Sequence, residues 1–349
     1  MNSTKIDEID AKLIKMLLSE SRTSFTDIGK QCNITVGAVR MRYKRLWKEG
    51  VINGEVALVN PHALGYRHII DLGIITESED EEEVARYLDT KPYLSHVLKH
   101  WGKYNFYGKV ALRDLTKLTD IIEDLEQNQK VEHIDPLIWA EAVNVEYPNN
   151  LVIKPLLATP SVKHQRHKSS DQAEAILDID EIDRKIATIV TKKSRTPFRQ
   201  IADQLGVSTK TVIQRYNKLR EDLLPWSTIT LDLNKLGYRA LANLCIKVSN
   251  HGRMTEIYNQ LLQIPNVFVI IRFIGGYDLY VAVALEDFDK MFELRALLGR
   301  IKGIETPEVI LTPMVTSWPL HLFSSLLESE AMPKHWEDKA RRKANGSKD

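Results

Sequence analysis

The stretch Ser21-Arg22-Thr23-Ser24-Phe25 decides how this sequence is organised, because it returns later as Ser194-Arg195-Thr196-Pro197-Phe198. Further blocks return with the same separation, to within one residue: Ile9-Asp10 as Ile182-Asp183, Leu64-Gly65-Tyr66-Arg67 as Leu236-Gly237-Tyr238-Arg239, and Gly102 with Tyr104 as Gly275 with Tyr277. Chance similarity would not keep its register across several separate blocks. The sequence is therefore predicted to contain two copies of one unit.

Length and composition indicate a folded chain of more than one domain. The chain has 349 residues, 43% of them hydrophobic, whereas single hydrophobic cores stop growing at about 250–300 residues. No apolar stretch reaches the ~18–20 residues of a membrane-spanning helix, and the amino terminus has no apolar run of the secretory kind. Two cysteines, Cys32 and Cys245, are too few for a disulfide framework or a cysteine-rich zinc site. We therefore expect a cytoplasmic protein with no membrane partner, no metal site and no cofactor.

Each unit begins with a pattern typical of three short helices. In the first unit, Ile9, Leu13 and Leu17 recur at helical spacing. Asn33 in the first unit and Gly206 in the second follow the second helix, and both residue types tolerate the left-handed backbone of a sharp turn. Three helices with a tight turn before a basic last helix predict a helix-turn-helix module, whose last helix enters the major groove of DNA.

The side chains that the last helix would present to DNA differ between the units. The positions expected to contact bases are Gly37, Ala38, Arg40, Met41 and Lys44 in the first unit, and Lys210, Thr211, Ile213, Gln214 and Asn217 in the second. The flanking basic residues expected to contact phosphates are Arg42, Arg45, Arg215 and Lys218, and the residues expected to cap the helices are Thr35 and Ser208. The alternative is that each basic helix is only a solvated face.

The net charge of +1 conceals an uneven distribution. Residues 20–50 contain seven Lys and Arg but three Asp and Glu, whereas residues 71–89 contain eight acidic residues and one basic residue. A basic module thus adjoins an acidic one, and the balanced total does not argue against double-stranded DNA as the partner.

After its three helices, each unit has the order β-α-β-β-α-β of a ferredoxin-like module. The first unit has predicted strands at 56–59, 68–75, 95–101, 104–112 and 134–142, and predicted helices at 81–88 and 115–125. The second repeats this with strands at 241–248, 267–273, 277–285 and 308–314, and helices at 254–262 and 288–298. Such a sheet leaves one face uncovered, so we expect a homo-oligomer formed through the β modules.

The predicted fold class is α+β, with two copies of an N-terminal helix-turn-helix (winged-helix-like) domain followed by a ferredoxin-like domain. The predicted helix-turn-helix domains are residues 1–55 and 177–228, and the predicted effector and dimerisation domains are residues 56–147 and 229–325. A linker is predicted at 148–176, where prolines precede a polar basic run, and a polar tail at 326–349.

The order of these elements resembles the leucine-responsive regulatory protein (Lrp/AsnC) family. The motifs that carry the resemblance are Ile179-Asp180-Glu181-Ile182-Asp183, Ile201-Ala202-Asp203-Gln204-Leu205-Gly206-Val207-Ser208, Leu236-Gly237-Tyr238 and Gly275-Gly276-Tyr277-Asp278. The resemblance covers nearly the whole chain, twice, apart from the linker and the tail. It implies a sequence-specific transcription regulator, not an enzyme, whose β modules pair into dimers and higher assemblies and bind an amino acid or a similar small effector.

The same resemblance implies an effector site at the Gly-x-Tyr-Asp hairpin of each unit. The residues concerned are Gly275, Tyr277 and Asp278 in the second unit, and Gly102, Tyr104 and Asn105 in the first. Asn105 departs from the pattern, because an amide cannot pair with an ammonium group as a carboxylate can, so the first pocket is expected to be altered or empty. The alternative is that the glycines only permit a tight turn, with the tyrosines as packing.

A rival hypothesis is an enzyme, because some siroheme decarboxylases resemble the same family and can also be fused pairs. Their hairpin strand carries a His followed by Tyr and Arg, ahead of Tyr-Asn. Here His96 precedes Tyr104-Asn105 at the right distance, but Val97-Leu98-Lys99 supplies neither the Tyr nor the Arg, and the second unit has Val269 in place of the His. Lys99, His100 and Lys103 are the cations that would have to substitute. The regulator is therefore the prediction, and a tetrapyrrole decarboxylase is the alternative.

Overall fold

The computed structural model describes residues 5–144, 150–156 and 176–328. Most of the predicted linker (148–176) and most of the predicted tail (326–349) lie outside the described residues. In the first unit the elements are α1 (Glu8–Ser19), α2 (Phe25–Cys32), α3 (Val36–Lys48), β1 (Ile52–Leu58), β2 (His68–Ile75), α4 (Glu81–Asp89), β3 (His96–Lys99), β4 (Phe106–Leu112), α5 (Lys117–Leu125) and β5 (His133–Asn144).

The second unit repeats the same order of elements. They are α6 (Glu181–Lys192), α7 (Phe198–Leu205), α8 (Thr209–Asp222), β6 (Trp226–Leu231), β7 (Ala240–Ile246), α9 (Met254–Leu262), β8 (Val267–Ile274), β9 (Leu279–Leu285), α10 (Asp289–Leu298) and β10 (Glu308–Pro313). The duplication and the α+β class predicted from the sequence are both present.

The helix-turn-helix modules are built as their sequences predict. Asn33 and Gly206 end α2 and α7 with left-handed backbones, at φ 53° and 67°. Thr35 and Ser208 then cap the last helices, because their hydroxyl oxygens accept hydrogen bonds from the N–H groups of Ala38 (3.2 Å) and Thr211 (3.0 Å). The turn and the cap together set the angle at which α3 and α8 leave the preceding helix.

The ferredoxin-like modules of the two units share one antiparallel sheet of eight strands, in the order β10-β7-β9-β8-β5-β2-β4-β3. The junction is the pairing of β5 with β8, from Ile138 opposite Ile274 to Asn144 opposite Ile270. The outer strands also meet, because Trp101 and Leu311 exchange two backbone hydrogen bonds of 2.8 Å. Side chains from the two units also pack against one another on the inner face of this sheet, including Tyr107 of the first unit and Cys245 and Phe273 of the second. Part of the face that was expected to need a second copy is thus covered within the chain, and association of separate chains stays a prediction.

The predicted strand at 56–59 does not belong to this sheet. It forms part of β1, which pairs antiparallel with β6 in a separate two-stranded sheet, from Ile52 opposite Leu231 to Leu58 opposite Trp226. The sequence pattern indicated a strand but could not reveal its partner, because the partner lies in the other unit. The boundaries proposed at 55/56 and 228/229 both fall inside these strands.

The two helix-turn-helix modules contact each other through a reciprocal exchange of arginines. The Arg22 guanidinium lies 4.1 Å from the ring centre of Phe198, and that of Arg195 lies 4.9 Å from the ring centre of Phe25. Arg22 also donates to the Thr196 carbonyl at 2.9 Å. Each arginine thus stacks on the first residue of the other unit's second helix, which relates the two modules by an approximate twofold axis.

Buried serine hydroxyl groups, together with strands β1 and β6, complete the contact between the two modules. Ser21 and Ser194 hydrogen bond at 2.6 Å, and Ser21 also bonds Ser227. These three serines are buried, so their hydrogen bonds are shielded from water. Together with the β1–β6 ladder, they hold the modules as one body, which fixes the positions of α3 and α8 relative to one another.

Candidate nucleic-acid interface and ligand sites

Helices α3 and α8 each bury one face and expose the face predicted to meet DNA. Val39 and Leu46 on α3, and Val212 and Leu219 on α8, are fully buried. The exposed predicted residues are Thr35, Gly37, Arg40, Met41, Lys44, Ser208, Lys210, Ile213, Gln214, Asn217 and Lys218, and the half-buried ones are Ala38, Arg42, Arg45, Thr211 and Arg215. The structure therefore brings most of the predicted contact residues onto two solvent-facing helical surfaces.

Arg42 is held inside the first module instead of extending into solvent. Its Nη1 donates to Asp7 Oδ2 at 2.6 Å and to Asp10 Oδ1 at 2.8 Å, and the Asp10 side chain is fully buried. These two hydrogen bonds raise the pKa of Arg42. A buried carboxylate needs its cation, so the contacts favour a structural role for Arg42 over the predicted phosphate contact.

The second module repeats this arrangement. Arg215 Nη1 donates to Asp180 Oδ2 at 2.6 Å and to Asp183 Oδ1 at 2.9 Å. The next basic position differs between the modules, because Arg45 pairs with Asp10 whereas Lys218 is exposed without an ion pair to any described residue. Arg40, Lys44 and Lys210 are likewise exposed and form no ion pair within the described ranges, so their charges remain available to DNA.

Gly102 and Gly275, the glycines of the predicted effector hairpins, lie where the two units meet. Their φ angles are 145° and 148°, a region that favours glycine. A Cβ on Gly102 would lie 3.1 Å from the carbonyl oxygen of Val309, and one on Gly275 would lie 3.0 Å from that of Pro136. Each hairpin therefore approaches a strand of the other unit, β10 or β5, so closely that an added side chain would push against the backbone of that strand.

The tyrosines of the two hairpins are buried and hydrogen bonded. Tyr104 donates to Asp135 Oδ2 at 2.7 Å, and Tyr277 donates to Glu308 Oε2 at 2.8 Å. Burial and the bond to a carboxylate raise the pKa of both phenols. Lys103 joins the first of these pairs, because its ammonium is 3.0 Å from both the Tyr104 hydroxyl and Asp135.

Asn105 and Asp278 hold the same structural position despite their different chemistry. Asn105 Oδ1 accepts from the Thr76 N–H at 2.9 Å, and Asp278 Oδ2 accepts from the Val248 N–H at 2.8 Å. Either residue can therefore accept a backbone hydrogen bond from the segment that follows β2 or β7, the equivalent strands of the two units.

The remaining polar atoms of the two side chains face different groups. Asn105 Nδ2 donates to Glu81 Oε1 at 2.8 Å, whereas Asp278 Oδ1 lies 3.6 Å from His251 Nε2. Only the second unit thus has a carboxylate at this position, and a difference between the two effector pockets stays a prediction.

Sequence patterns did not predict the buried polar groups on the inner face of the eight-stranded sheet. Lys109 on β4 pairs with Asp71 on β2, and the Lys109 ammonium lies 4.5 Å from the ring centre of Trp139 on β5. Asp71 is only 3% exposed. The sequence did contain a signal for this ion pair, because Asp71 and Lys109 are charged residues within otherwise mostly apolar strands.

His96 and His100, the histidines of the enzyme hypothesis, also lie near Lys109. Burial, with repulsion from Lys109, lowers the pKa of His100 to about 3, and the same causes lower the pKa of His96. His100 Nδ1 is 2.5 Å from Thr312 Oγ1, while the Nε2 atoms of both histidines lack a hydrogen-bond partner among the described residues. Both rings are therefore neutral near pH 7.

The described residues contain no cluster of three His, Cys, Asp or Glu side chains arranged to hold a metal ion. In the same part of the chain, every helix is too short or too polar to span a membrane.

Comparison with known proteins identifies both helix-turn-helix modules. The family model of the AsnC-type helix-turn-helix domain matches residues 179–220, and that of the winged helix-turn-helix DNA-binding domain matches residues 6–53. The HTH-type transcriptional regulator FL11 of Pyrococcus horikoshii is 30% identical over 128 residues, which are 36% of this chain and 84% of that protein. The HTH-type transcriptional regulator LrpA of the same organism is 34% identical over 119 residues, 34% of this chain and 84% of that protein.

A solved structure shares the duplicated architecture. The siroheme decarboxylase NirDL covers 92% of this chain and 97% of its own with a TM-score of 0.61, at 13% sequence identity. At that identity the likeness shows the fold alone, whereas the relatives with higher identity are named as transcriptional regulators. The chain therefore belongs to the Lrp/AsnC family and is a DNA-binding transcription regulator that carries the family's unit twice.

Proposed function

We propose that one chain binds double-stranded DNA with both of its recognition helices and reads two unlike half-sites. The carrying observation is the contact between the modules, in which β1 pairs with β6 and Arg22 and Arg195 stack on the opposite module. A homodimer presents two identical helices and favours palindromic sites, whereas α3 and α8 expose different side chains. In this proposal, residues 1–55 and 177–228 are the DNA-binding modules, and residues 56–147 and 229–325 are the effector and dimerisation modules.

The first experiment is a gel shift of the purified chain on its own promoter region, with a salt titration. We expect a sequence-specific shift whose affinity falls steeply with salt. Lys218→Ala should reduce the slope of log affinity against log salt by about 1, because one phosphate contact is lost. Lys290→Ala, which removes an exposed charge from α10 in the ferredoxin-like module, is the matched control and should leave the slope unchanged. Absence of any specific shift would contradict the proposal.

Regulation by a small effector, an amino acid or a similar molecule, is the second part of the proposal. Its support is that Gly102 and Gly275 lie where the two units meet, so a ligand held at these hairpins would act on how the units pair. The other residues of the proposed site follow them in the same hairpins, and these are Tyr104, Asn105, Tyr277 and Asp278. Only Asp278 offers a carboxylate for an ammonium group. Asp278→Ala should therefore abolish any effect of added amino acids on the gel shift; a variant that still responds refutes this site.

Two observations favour the enzyme as the alternative. The Nε2 atom of His96 has no hydrogen-bond partner among the described residues, and the fold is shared with NirDL. An absorption spectrum of the purified protein with added siroheme separates the hypotheses. A DNA shift without tetrapyrrole binding supports the regulator, whereas a spectral change that His96→Ala removes would favour the decarboxylase.

A further inference from the structure

We infer that the two half-sites differ in base composition: the first module prefers a half-site containing guanine, and the second prefers a half-site rich in A·T pairs. This inference rests on the proposed reading of DNA by both helices, and it names what each helix reads. It follows from three equivalent positions in the middle of the recognition helices, which are Arg40, Met41 and Lys44 on α3, and Ile213, Gln214 and Asn217 on α8.

The two helices share their N-terminal cap and their central framework arginine, and they differ at Arg45, which pairs with Asp10, and Lys218, which is exposed. Differences in base readout are therefore expected from the exposed side chains. Arg42 and Arg215 make matching pairs with the first helix of their own modules. Thr35 and Ser208 cap the two helices through the same hydrogen bond. The two helices are thus supported in equivalent ways at these points, and equivalent positions face equivalent parts of their half-sites.

The first module presents cations at these positions. Arg40 and Lys44 are one helical turn apart, so they lie on the same face of α3, and both are exposed without an ion pair among the described residues. Guanine offers two acceptors, O6 and N7, in the major groove, and Arg or Lys is the usual partner of that pair. Met41, which is 69% exposed, adds an apolar contact of the kind that suits a thymine methyl group.

The second module replaces both cations with uncharged side chains. Gln214 and Asn217 are exposed amides, and an amide both donates and accepts, which matches the N6 and N7 atoms of adenine. Ile213, 39% exposed, occupies the position of Arg40 and suits a thymine methyl group. Lys210 is an additional exposed cation in the first turn of α8, and it lies outside the three positions compared.

The test compares three duplexes with the same half-site spacing: a mixed site, an inverted repeat of the guanine half-site, and an inverted repeat of the A·T half-site. The half-sites are first obtained by selection from random duplexes. We expect the mixed site to bind about 10-fold more tightly than either inverted repeat, since a wrong base at a bidentate contact lowers affinity by ~5–150-fold.

A triple variant supplies the decisive comparison. Arg40→Ile, Met41→Gln and Lys44→Asn together give the first module the side chains of the second at these three positions. All three positions are exposed, so the variant should have the same melting temperature as the native chain. We expect its preference to move to the A·T inverted repeat.

Two outcomes would overturn the inference: a native chain that prefers either inverted repeat, or a triple variant whose preference does not change. Failure of the proposed function looks different, because the native chain would then bind none of the three duplexes specifically. Replacing thymine with uracil, which lacks the methyl group, should weaken binding of the native chain to the mixed site.

Discussion

The two units of this chain agree in the arginine that ties each recognition helix to its module, and they differ on the helical surfaces that face a partner and in the buried polar groups of the sheet. Arg42 and Arg215 make the same pairs with the first helices of their modules, yet Arg40 corresponds to Ile213. A duplicated chain can change one copy without the other, because its two copies are encoded separately. The arginine that ties each recognition helix to its module is the same in both copies, whereas the side chains exposed toward DNA have diverged.

The inner faces of the ferredoxin-like modules show the same contrast. The first unit buries the ion pair of Asp71 and Lys109, while the equivalent positions of the second unit hold Asn243 and Ala282. Asn243 is satisfied without a charge, because its amide donates to Thr312 Oγ1 at 2.6 Å and accepts from the Tyr280 hydroxyl at 2.7 Å. The two halves thus solve the same packing problem with an ion pair and with a neutral network.

Removing Lys109 should have the largest effect on stability. Lys109→Ala leaves Asp71 buried without its cation, and we expect the free energy of unfolding to fall by about 3 kcal/mol in a denaturant titration. Asp71→Asn combined with Lys109→Ala gives the first unit the residues of the second, and it should recover most of the loss. A double variant as unstable as the single one would show that the charge of Asp71 is not the cause.

Substitutions of Arg42 and Arg40, two positions apart on α3, should have different effects: the first should lower stability and the second should weaken DNA binding. Arg42→Ala should lower the free energy of unfolding by about 2 kcal/mol, because buried Asp10 loses one of its cations while Arg45 remains. Arg40→Ala should leave stability within about 0.5 kcal/mol, as surface substitutions usually do, and should weaken specific DNA binding about 10-fold. The reverse pattern in chemical denaturation and gel shifts would contradict the assignment of the two arginines.

The junction of the units can be tested with neighbouring glycines. Gly275→Ala introduces a Cβ 3.0 Å from the Pro136 carbonyl oxygen at a φ of 148°, so we expect a loss of about 1–2 kcal/mol in thermal unfolding. Gly276→Ala is the matched control, because no atom lies within 4 Å of its added Cβ. Equal melting temperatures for the two variants would show that the hairpin does not need its close approach to β5.

The smallest expected effect is an acid sensitivity of the helix-turn-helix modules. A hydrogen bond from the Asp183 N–H and another from Arg215 lower the pKa of Asp180 below its usual 3.8. Such a carboxylate stabilises the fold fully above pH 3.8, and the contribution is lost as the pH falls through the lower folded pKa. As the pH falls below 4, the melting temperature of Arg215→Ala should therefore fall less than that of the native chain. Equal falls for the two proteins would argue against this linkage.

Periodicity, turn residues and caps predicted nearly all the elements, because these signals are local. Asn33, Thr35 and their counterparts act within a few residues of where they stand. The partner of β1 and the burial of Asp71 were not predictable, because both depend on residues far away in the sequence. Arg42 and Arg40 look alike in the sequence, and only the packing of α1 against α3 distinguishes a framework arginine from one that faces solvent.

The most direct test of reading by two unlike helices is hydroxyl-radical footprinting on the selected site, with the native chain, Arg40→Ala and Gln214→Ala. We predict two adjacent protected segments of different sequence, about one helical turn apart, with each variant weakening protection of one segment only. A perfectly symmetric site whose protection is insensitive to substitution of Lys210 or Gln214 would contradict the account.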